Sequence, residues 1–324
     1  MRGEAGGVFV PDRVAVITGA ASGIGLAVAL KCASEHRMRV VLADVDAAAL
    51  ASAHGELEAV GAGAVLSLVC DVTKESDYEE LAERVYGDFG EVAFLFLNAG
   101  LTAGFSAFST PLEQWKLCLD VNVWGVINGL HVFTPRMIAQ TSPSKIAATS
   151  SLSGLMNSSP DTGVPYVVAK HSVTLIMESL EHELRSDMRR HVSAHLLLPG
   201  IVRTRITENS MRSARVVSMD DDEPRAVGKT DEELSQMTGE ERAQYTEGTL
   251  SGGQLADGLW TAMAAGKFYC IVTPPTQPQD LYKGLVALRA EDIMRDLPPL
   301  SQHVPELRAE SRSRLKAHRM KSKI

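Results

Sequence analysis

Apolar runs of strand length alternate with longer helical patterns along most of the chain. The first two runs are "RVAVITG" at 13–19 and "MRVVLAD" at 38–44. Amphipathic stretches such as 111–140 and 166–187 separate later runs. Runs that are apolar on both faces and alternate with helices predict a parallel seven-stranded sheet covered on both sides. The other five strands are predicted within 64–71, 92–98, 144–151, 192–200 and 267–274.

Right-handed crossovers between these strands give an open, doubly wound α/β fold of the Rossmann type. We expect residues 1–274 to form one such domain. Residues 203–250 are polar and aperiodic, and they follow the carboxyl end of a strand, where open sheets bind ligands. We interpret them as a lid insertion, with a disordered surface segment as the alternative. Residues 275–324 are expected to be a C-terminal extension with a helix and a basic tail.

Composition indicates an ordinary globular chain. Of its 324 residues, 45% are hydrophobic and 22% are charged. The net charge of −8 argues against nucleic acid or an anionic membrane as the main partner. We see no signal-peptide pattern and no run of 18 apolar residues, so we expect a cytoplasmic protein. The C-terminal Ser322-Lys323-Ile324 resembles the Ser-Lys-Leu peroxisomal address if the source is eukaryotic, or ends a solvated tail by chance.

Cysteine and histidine spacing gives no sign of a metal site. The four cysteines are far apart, without C-x-x-C or zinc spacing, and fit buried thiols in a reducing compartment. The nine histidines form no ligand cluster, so no metal is expected. The cysteines are Cys32, Cys70, Cys118 and Cys270.

The first strand leads into "TGAASGIG" at 18–25, followed by a predicted helix. Glycines at such a junction allow a sharp turn and let a pyrophosphate approach the peptide nitrogens. The free N–H groups and positive dipole end of the helix then attract the anion. The predicted loop residues are Gly19, Ala21, Ser22, Gly23, Ile24 and Gly25.

Asp44 ends the second strand, 19 residues after Gly25. A carboxylate there can accept hydrogen bonds from the ribose hydroxyls of NAD and would repel the extra phosphate of NADP. Ala20, Ala21 and Val45 offer that phosphate no basic group. NAD is therefore the predicted cofactor ahead of NADP. The alternative is an aspartate that caps the following helix.

Polar residues also close the third and fourth strands. Asp71-Val72 and Asn98-Ala99-Gly100 would lie on the crevice where adenine and the nicotinamide ribose rest. At either strand end, these residues could instead serve only to form the turn that follows the strand.

Tyr166 and Lys170 are four residues apart in "YVVAK". Side chains at this spacing share one helix face, about 5–6 Å apart at Cβ. We expect the ammonium to lower the pKa of Tyr166 from about 10. The alternative is an amphipathic helix with Tyr166 packed and Lys170 solvated.

Taken together, Gly19-x-x-x-Gly23-x-Gly25, Asn98-Ala99-Gly100 and Tyr166-x-x-x-Lys170 resemble the short-chain dehydrogenases/reductases, in their compact single-domain branch. The resemblance covers residues 12–202 densely and 252–274 loosely.

This resemblance implies specific catalytic roles. Tyr166 would be the general acid/base, Lys170 would bind the nicotinamide ribose, and Asn122 in "VNVWG" would hold a water. The serine that stabilises the substrate oxygen would be Ser151, because its strand-end position fixes a side chain better than a variable loop length does. The interval to Tyr166 makes Ser153 the alternative. Implied cofactor contacts comprise the loop residues above with Asp44, Val45, Asp71, Val72, Asn98, Ala99, Gly100, Tyr166, Lys170, Pro199, Gly200, Val202 and Thr204.

The implied activity is an NAD(H)-dependent oxidoreductase that interconverts a secondary alcohol and its ketone. Dehydratase or epimerase chemistry and a non-catalytic NAD-binding protein are the alternatives. The family's usual dimer would pack through helices 111–140 and 166–187, so a homodimer or homotetramer is expected. A hydrophobic substrate is expected from the apolar residues Leu152, Leu155, Met156, Ile206 and Met211.

Overall fold

A computed structural model gives the structure of most of the chain. The residues described are 7–103, 106–156, 163–186, 191–202, 238, 248–277, 279–298 and 305–321.

Seven parallel strands form one sheet, in the order β3-β2-β1-β4-β5-β6-β7. This confirms the predicted sheet, and each strand lies inside its predicted run. The strand order reverses between β1 and β4, which opens a crevice at their carboxyl ends. The strands are β1 Val14–Thr18, β2 Arg39–Asp44, β3 Ala64–Val69, β4 Phe94–Leu97, β5 Ser144–Thr149, β6 Val192–Pro199 and β7 Tyr269–Val272.

Helices cover both faces of the sheet. Side chains alternate along each strand, so Ala15 and Ile17 pack under one helix layer while Val14 and Val16 pack under the other. The first layer consists of α1 Gly23–Ser34, α2 Ala47–Ala59 and α7 Gly252–Ala264. The second consists of α3 Glu75–Phe89, α4 Leu112–Leu119, α5 Gly125–Ala139 and α6 Val164–Ser186.

The helix predicted over 111–140 is not a continuous α-helix. A π-helical turn, Asp120–Trp124, separates α4 from α5. The wider turn leaves a backbone carbonyl for other donors, and the side-chain amide of Asn122 donates to Cys118 O at 2.8 Å. Residues 112–124 contain no glycine or proline that would mark an interruption, so the sequence predicted one continuous helix.

By length and composition alone, Leu112–Ala139 would also be sufficient to cross a membrane. No apolar run of this length was expected from the sequence. Helices that cover a sheet can meet the same criteria, and this one packs on the sheet through Val126, Phe133 and Met137.

The C-terminal extension is a pair of helices, α8 Gln279–Met294 and α9 Arg308–Lys321. The predicted helical extension is confirmed, but the segment expected to be a basic tail is the helix α9. The boundary at residue 274 stays a prediction.

Charge pairs join α8 to α9. Arg314 Nη1 lies 2.9 Å from Asp292 Oδ1, and both side chains are nearly buried. Arg319 pairs with Asp280 at 3.0 Å and Arg295 pairs with Glu310 at 2.9 Å. Because these partners lie 15 to 39 residues apart, they meet only when α8 and α9 pack against each other. We call this pair of helices the C-terminal hairpin.

The predicted lid lies mostly outside the described residues, and its role stays a prediction. Its two ends are described. Val202 pairs with Leu250 in a parallel bridge, and Leu250 N donates to Ile201 O at 2.8 Å. The insertion therefore begins and ends beside the carboxyl end of β6.

Candidate functional site

The glycine loop joins β1 to α1 at the crevice. Gly19 and Gly23 have φ values of 62° and 56°, a region that favours glycine. A Cβ on Gly19 would lie 2.8 Å from Ala99 Cα, and one on Gly25 would collide with Gly19 O. The loop is therefore packed against the end of β4, and α1 begins at Gly23 facing the crevice.

Asn98 connects three strand ends beneath this loop. Its Nδ2 donates to the carbonyls of Thr18 and Gly19, both at 3.2 Å. Its Oδ1 accepts from Thr149 Oγ1 at 2.9 Å. Asn98 thereby holds the ends of β1, β4 and β5 together beneath the glycine loop.

Asp44 lies at the end of β2 and reaches the glycine loop. Its carboxylate accepts from Ala21 N at 3.0 Å and from Asp46 N at 3.1 Å. The alternative role, capping α2, belongs to Asp46, which accepts from Ala48 N and Ala49 N. Asp44 is thus placed where a ribose beside the loop would meet it, and Val45 next to it is exposed.

After β3, the side chain of Asp71 stabilises a turn. Asp71 Oδ1 accepts from Thr73 N at 3.1 Å and from Thr73 Oγ1 at 2.7 Å. Val72 is buried, and its carbonyl accepts from Asn128 Nδ2 at 3.1 Å. The proposed contacts of Asp71 and Val72 with adenine stay predictions.

Lys170 is buried, which excludes the alternative of a solvated lysine. Only 3% of the residue is exposed. Its Nζ donates to Thr149 O at 2.9 Å and lies 5.5 Å from the centroid of the Tyr166 ring. Burial lowers the pKa of Lys170 to about 8. The ammonium therefore remains mostly protonated at neutral pH.

Tyr166 is partly buried among apolar residues that include Leu101, Cys118 and Ala169. Burial raises the pKa of Tyr166 to about 12, and a hydrogen bond from Ser151 acts in the opposite direction. The expectation of a lowered pKa is therefore wrong for this structure. Removing the phenolate from water outweighs the other effects, because burial penalises the charged form of an acid.

Ser151 begins a short 3₁₀ helix, Leu152–Gly154, in extended conformation. Its Oγ accepts from Ser153 N at 3.1 Å, and its hydroxyl is hydrogen-bonded to Tyr166. The backbone of Ser153 instead contacts His171. Of the two candidate serines, the geometry favours Ser151.

Asn122 is buried within the π-helical turn. Its Nδ2 donates to Leu101 O and Cys118 O, both at 2.8 Å. Its Oδ1 has no hydrogen-bond partner among the described residues. A Cβ built on Gly100 would lie 2.8 Å from this oxygen and 3.4 Å from Lys170 Nζ. Gly100 is thus packed against both groups, so that an acceptor without a partner among the described residues and a buried ammonium lie on the same glycine.

Two threonines in the site were missed by the sequence analysis. Thr18 Oγ1 accepts from the backbone nitrogens of Asn98 and Ala99, at 3.0 and 3.2 Å. Thr149 binds Lys170 through its carbonyl and Asn98 through its hydroxyl. Both are the last residue of a buried strand, a polar position at the crevice edge that could have identified them.

The segment after β6 is described only as far as Val202. Pro199 ends β6, and Gly200 N donates to Val272 O at 2.8 Å. Val202 is buried in its bridge with Leu250. The predicted cofactor residue Thr204 and the predicted pocket residues Ile206 and Met211 lie outside the described residues.

These residues fit a dinucleotide. The start of α1 offers free N–H groups beside a loop with no side chains at Gly19, Gly23 and Gly25. Asp44 offers a carboxylate at one end of the crevice. At the other end, the buried Asn122 Oδ1 and Lys170 Nζ both lie close to Gly100 and offer a ligand an acceptor and a positive charge.

Comparison with known proteins agrees with this geometry. A family model described as short chain dehydrogenase matches residues 13–215. The 1-deoxy-11-beta-hydroxypentalenate dehydrogenase of Streptomyces avermitilis is 30% identical over 265 residues, which cover 81% of this chain and 85% of the relative.

Two solved structures are also similar. A short-chain dehydrogenase/reductase from Burkholderia phymatum, in complex with NAD, has a TM-score of 0.74 and 34% identity, covering 90% of this chain and 97% of that one. A metagenomic short-chain oxidoreductase in complex with NADP has a TM-score of 0.59 and 25% identity, covering 82% and 97%. The chain belongs to the short-chain dehydrogenase/reductase family of oxidoreductases, with a nucleotide-binding Rossmann fold.

Proposed function

We propose that the protein is an NAD(H)-dependent oxidoreductase that interconverts a hydrophobic secondary alcohol and its ketone. One observation carries the proposal. Ser151 and Lys170 converge on the Tyr166 side chain at the carboxyl edge of the sheet, on the same edge as the glycine loop.

Each part of the crevice has a task in this reaction. The glycine loop and the start of α1 bind the pyrophosphate, and Asp44 accepts hydrogen bonds from the adenosine ribose. Lys170 binds the other ribose. When bound, the nicotinamide supplies or accepts the hydride.

Tyr166 moves the proton at the substrate oxygen, and Ser151 donates a hydrogen bond to that oxygen. With its pKa raised to about 12, Tyr166 is protonated at neutral pH and ready to donate to a carbonyl oxygen. Alcohol oxidation needs the deprotonated form, so its rate should rise with pH. Asn122 Oδ1 and Lys170 Nζ would hold a water that returns the proton to solvent.

NAD is proposed ahead of NADP because of Asp44. Solved relatives carry either cofactor, so family membership alone does not decide. The Asp44 carboxylate contacts the glycine loop through Ala21 N, and its negative charge would repel a ribose phosphate at that position.

A hydrophobic substrate is proposed from the surroundings of Tyr166, which include Leu101, Ala103 and Leu117. The similar Streptomyces avermitilis protein is by name a dehydrogenase of a hydroxylated compound. Of the residues expected to line the pocket, Leu152 and Met156 are buried in the core, and Leu155 keeps partial exposure.

Tyr166→Phe should lower kcat by about 10²–10⁴-fold while NADH binds as tightly as to wild type, because the phenol moves the proton, and the glycine loop, Asp44 and Lys170 supply most of the dinucleotide binding. The assay is reduction of NAD⁺ with a panel of aliphatic, alicyclic, steroid and aromatic alcohols, followed at 340 nm. Tyr269→Phe, at an exposed tyrosine on β7, is the matched control and should keep full activity. Activity of Tyr166→Phe within about threefold of wild type would rule out the assignment.

Ser151→Ala should lower kcat roughly 100-fold and move the pH profile of alcohol oxidation to higher pH. The Ser151 hydrogen bond lowers the pKa of Tyr166, so its loss raises that pKa and leaves less phenolate at any given pH. Measured profiles of kcat/KM for Ser151→Ala and Ser153→Ala decide between the serines. A larger loss and shift in Ser153→Ala would contradict the geometry.

Asp44→Ala should weaken NAD⁺ binding roughly 10- to 100-fold and reduce the preference for NAD⁺ over NADP⁺, because a charged hydrogen-bond acceptor is lost and a repulsive charge is removed. Dissociation constants of both cofactors can be measured by calorimetry. The control is Asp46→Ala, which removes the cap of α2 and should lower stability without altering the cofactor ratio. An unchanged ratio in Asp44→Ala would contradict the proposal.

A further inference from the structure

Arg289 on α8 joins the C-terminal hairpin to the catalytic loop. Its Nη1 donates to Leu155 O at 2.8 Å. The same nitrogen lies 2.8 Å from His171 Nε2. Since one guanidinium amino group carries two N–H bonds, it can serve both acceptors. These contacts span 134 and 118 residues of sequence, so they exist only in the complete fold.

Leu155 O lies at the end of the short helix that Ser151 begins. Gly154 N donates to Ser151 O at 2.8 Å, and Leu155 N donates to Leu152 O at 3.1 Å. A 3₁₀ helix of three residues has few hydrogen bonds of its own and depends on its surroundings for orientation. Arg289 thus restrains the carboxyl end of an element whose first residue contacts Tyr166.

His171 brings the catalytic helix into the same contact. It directly follows Lys170, and its Nδ1 lies 2.9 Å from Val167 O. We assign the proton to Nδ1, which donates to that carbonyl and leaves Nε2 as the acceptor for Arg289. Burial lowers the pKa of His171, in keeping with a neutral ring. The backbone of Ser153 also contacts this ring.

Arg289 is itself exposed, but the helix that carries it is packed against its neighbours. Tyr282, Leu285 and Val286 pack against the core cluster that contains Leu152 and Met156. The spacing from these residues to Arg289 keeps all of them on one side of the helix. On another side, Gly284 lies against Leu315 of α9, and Asp292 pairs with Arg314. The guanidinium is therefore presented from a helix that is packed on both sides.

We propose that Arg289 is a positioning residue of the active site, which holds the Ser151 loop against Tyr166. The C-terminal hairpin is then part of the catalytic apparatus. The effect of Arg289 on turnover rests on the proposed function. Its restraint of the Ser151 loop does not.

Arg289→Met tests the structural part through hydrogen exchange of the backbone amides at 151–155, measured by mass spectrometry. These amides should exchange roughly tenfold faster than in wild type, because the loop loses its restraint. Arg312→Met, at an exposed arginine on the same hairpin, is the matched control and should exchange as wild type does. Arg289→Lys, which keeps a cationic donor, should restore part of the protection. Exchange of Arg289→Met equal to that of wild type would overturn the proposal.

The catalytic part is tested with the alcohol that wild type oxidises best. Arg289→Met should lower kcat roughly 10- to 100-fold, because a displaced Ser151 misplaces the substrate oxygen, while KM for NAD⁺ stays within about twofold. Full kcat in Arg289→Met would overturn the positioning role. Absence of wild-type turnover with every alcohol would count against the proposed function instead, and the exchange result would still decide whether Arg289 restrains the loop.

Discussion

The buried ammonium of Lys170 is the constraint around which the site is arranged. A charge taken out of water is costly unless polar groups surround it. Here the neighbours are neutral: Nζ donates to the Thr149 carbonyl, lies over the Tyr166 ring, and packs against Gly100 on the side where the Asn122 oxygen also lies. The depressed pKa of Lys170 reports this incomplete compensation. Such an arrangement is poor for stability and suits a site that binds a polar ligand group.

The surrounding elements follow from this placement. The π-helical turn directs Asn122 inward, so that its amide nitrogen donates to two carbonyls and its oxygen lies against Gly100. Asn98 connects the ends of β1, β4 and β5, and thereby places Thr149 for its contact with Lys170. Ser151 contacts Tyr166 from the position just before a 3₁₀ helix of three residues. This short 3₁₀ helix has few hydrogen bonds of its own, and the residue that follows it accepts a hydrogen bond from Arg289 of the C-terminal hairpin.

Much of this was predictable from the sequence because the relevant signals are local. Buried strands are continuous apolar runs, and the glycine loop and the Tyr166–Lys170 spacing lie within single elements. What could not be predicted depends on tertiary contacts. The raised pKa of Tyr166 reflects burial by distant residues, and the helix α9 is paired to α8 by charges far apart in sequence. Likewise, either Asp44 or Asp46 is a residue type that could cap α2. Only the fold shows that Asp46 caps the helix and that Asp44 contacts the glycine loop.

We propose that Tyr166, Lys170 and Ser151 surround the reacting end of a bound dinucleotide. A crystal structure of the protein with NAD⁺ tests it most directly. We expect the nicotinamide ribose within hydrogen-bond distance of Lys170 Nζ, the nicotinamide ring beside the Tyr166 hydroxyl, and the pyrophosphate at the start of α1. A dinucleotide bound with its nicotinamide away from Tyr166, or with its pyrophosphate away from the glycine loop, would contradict it.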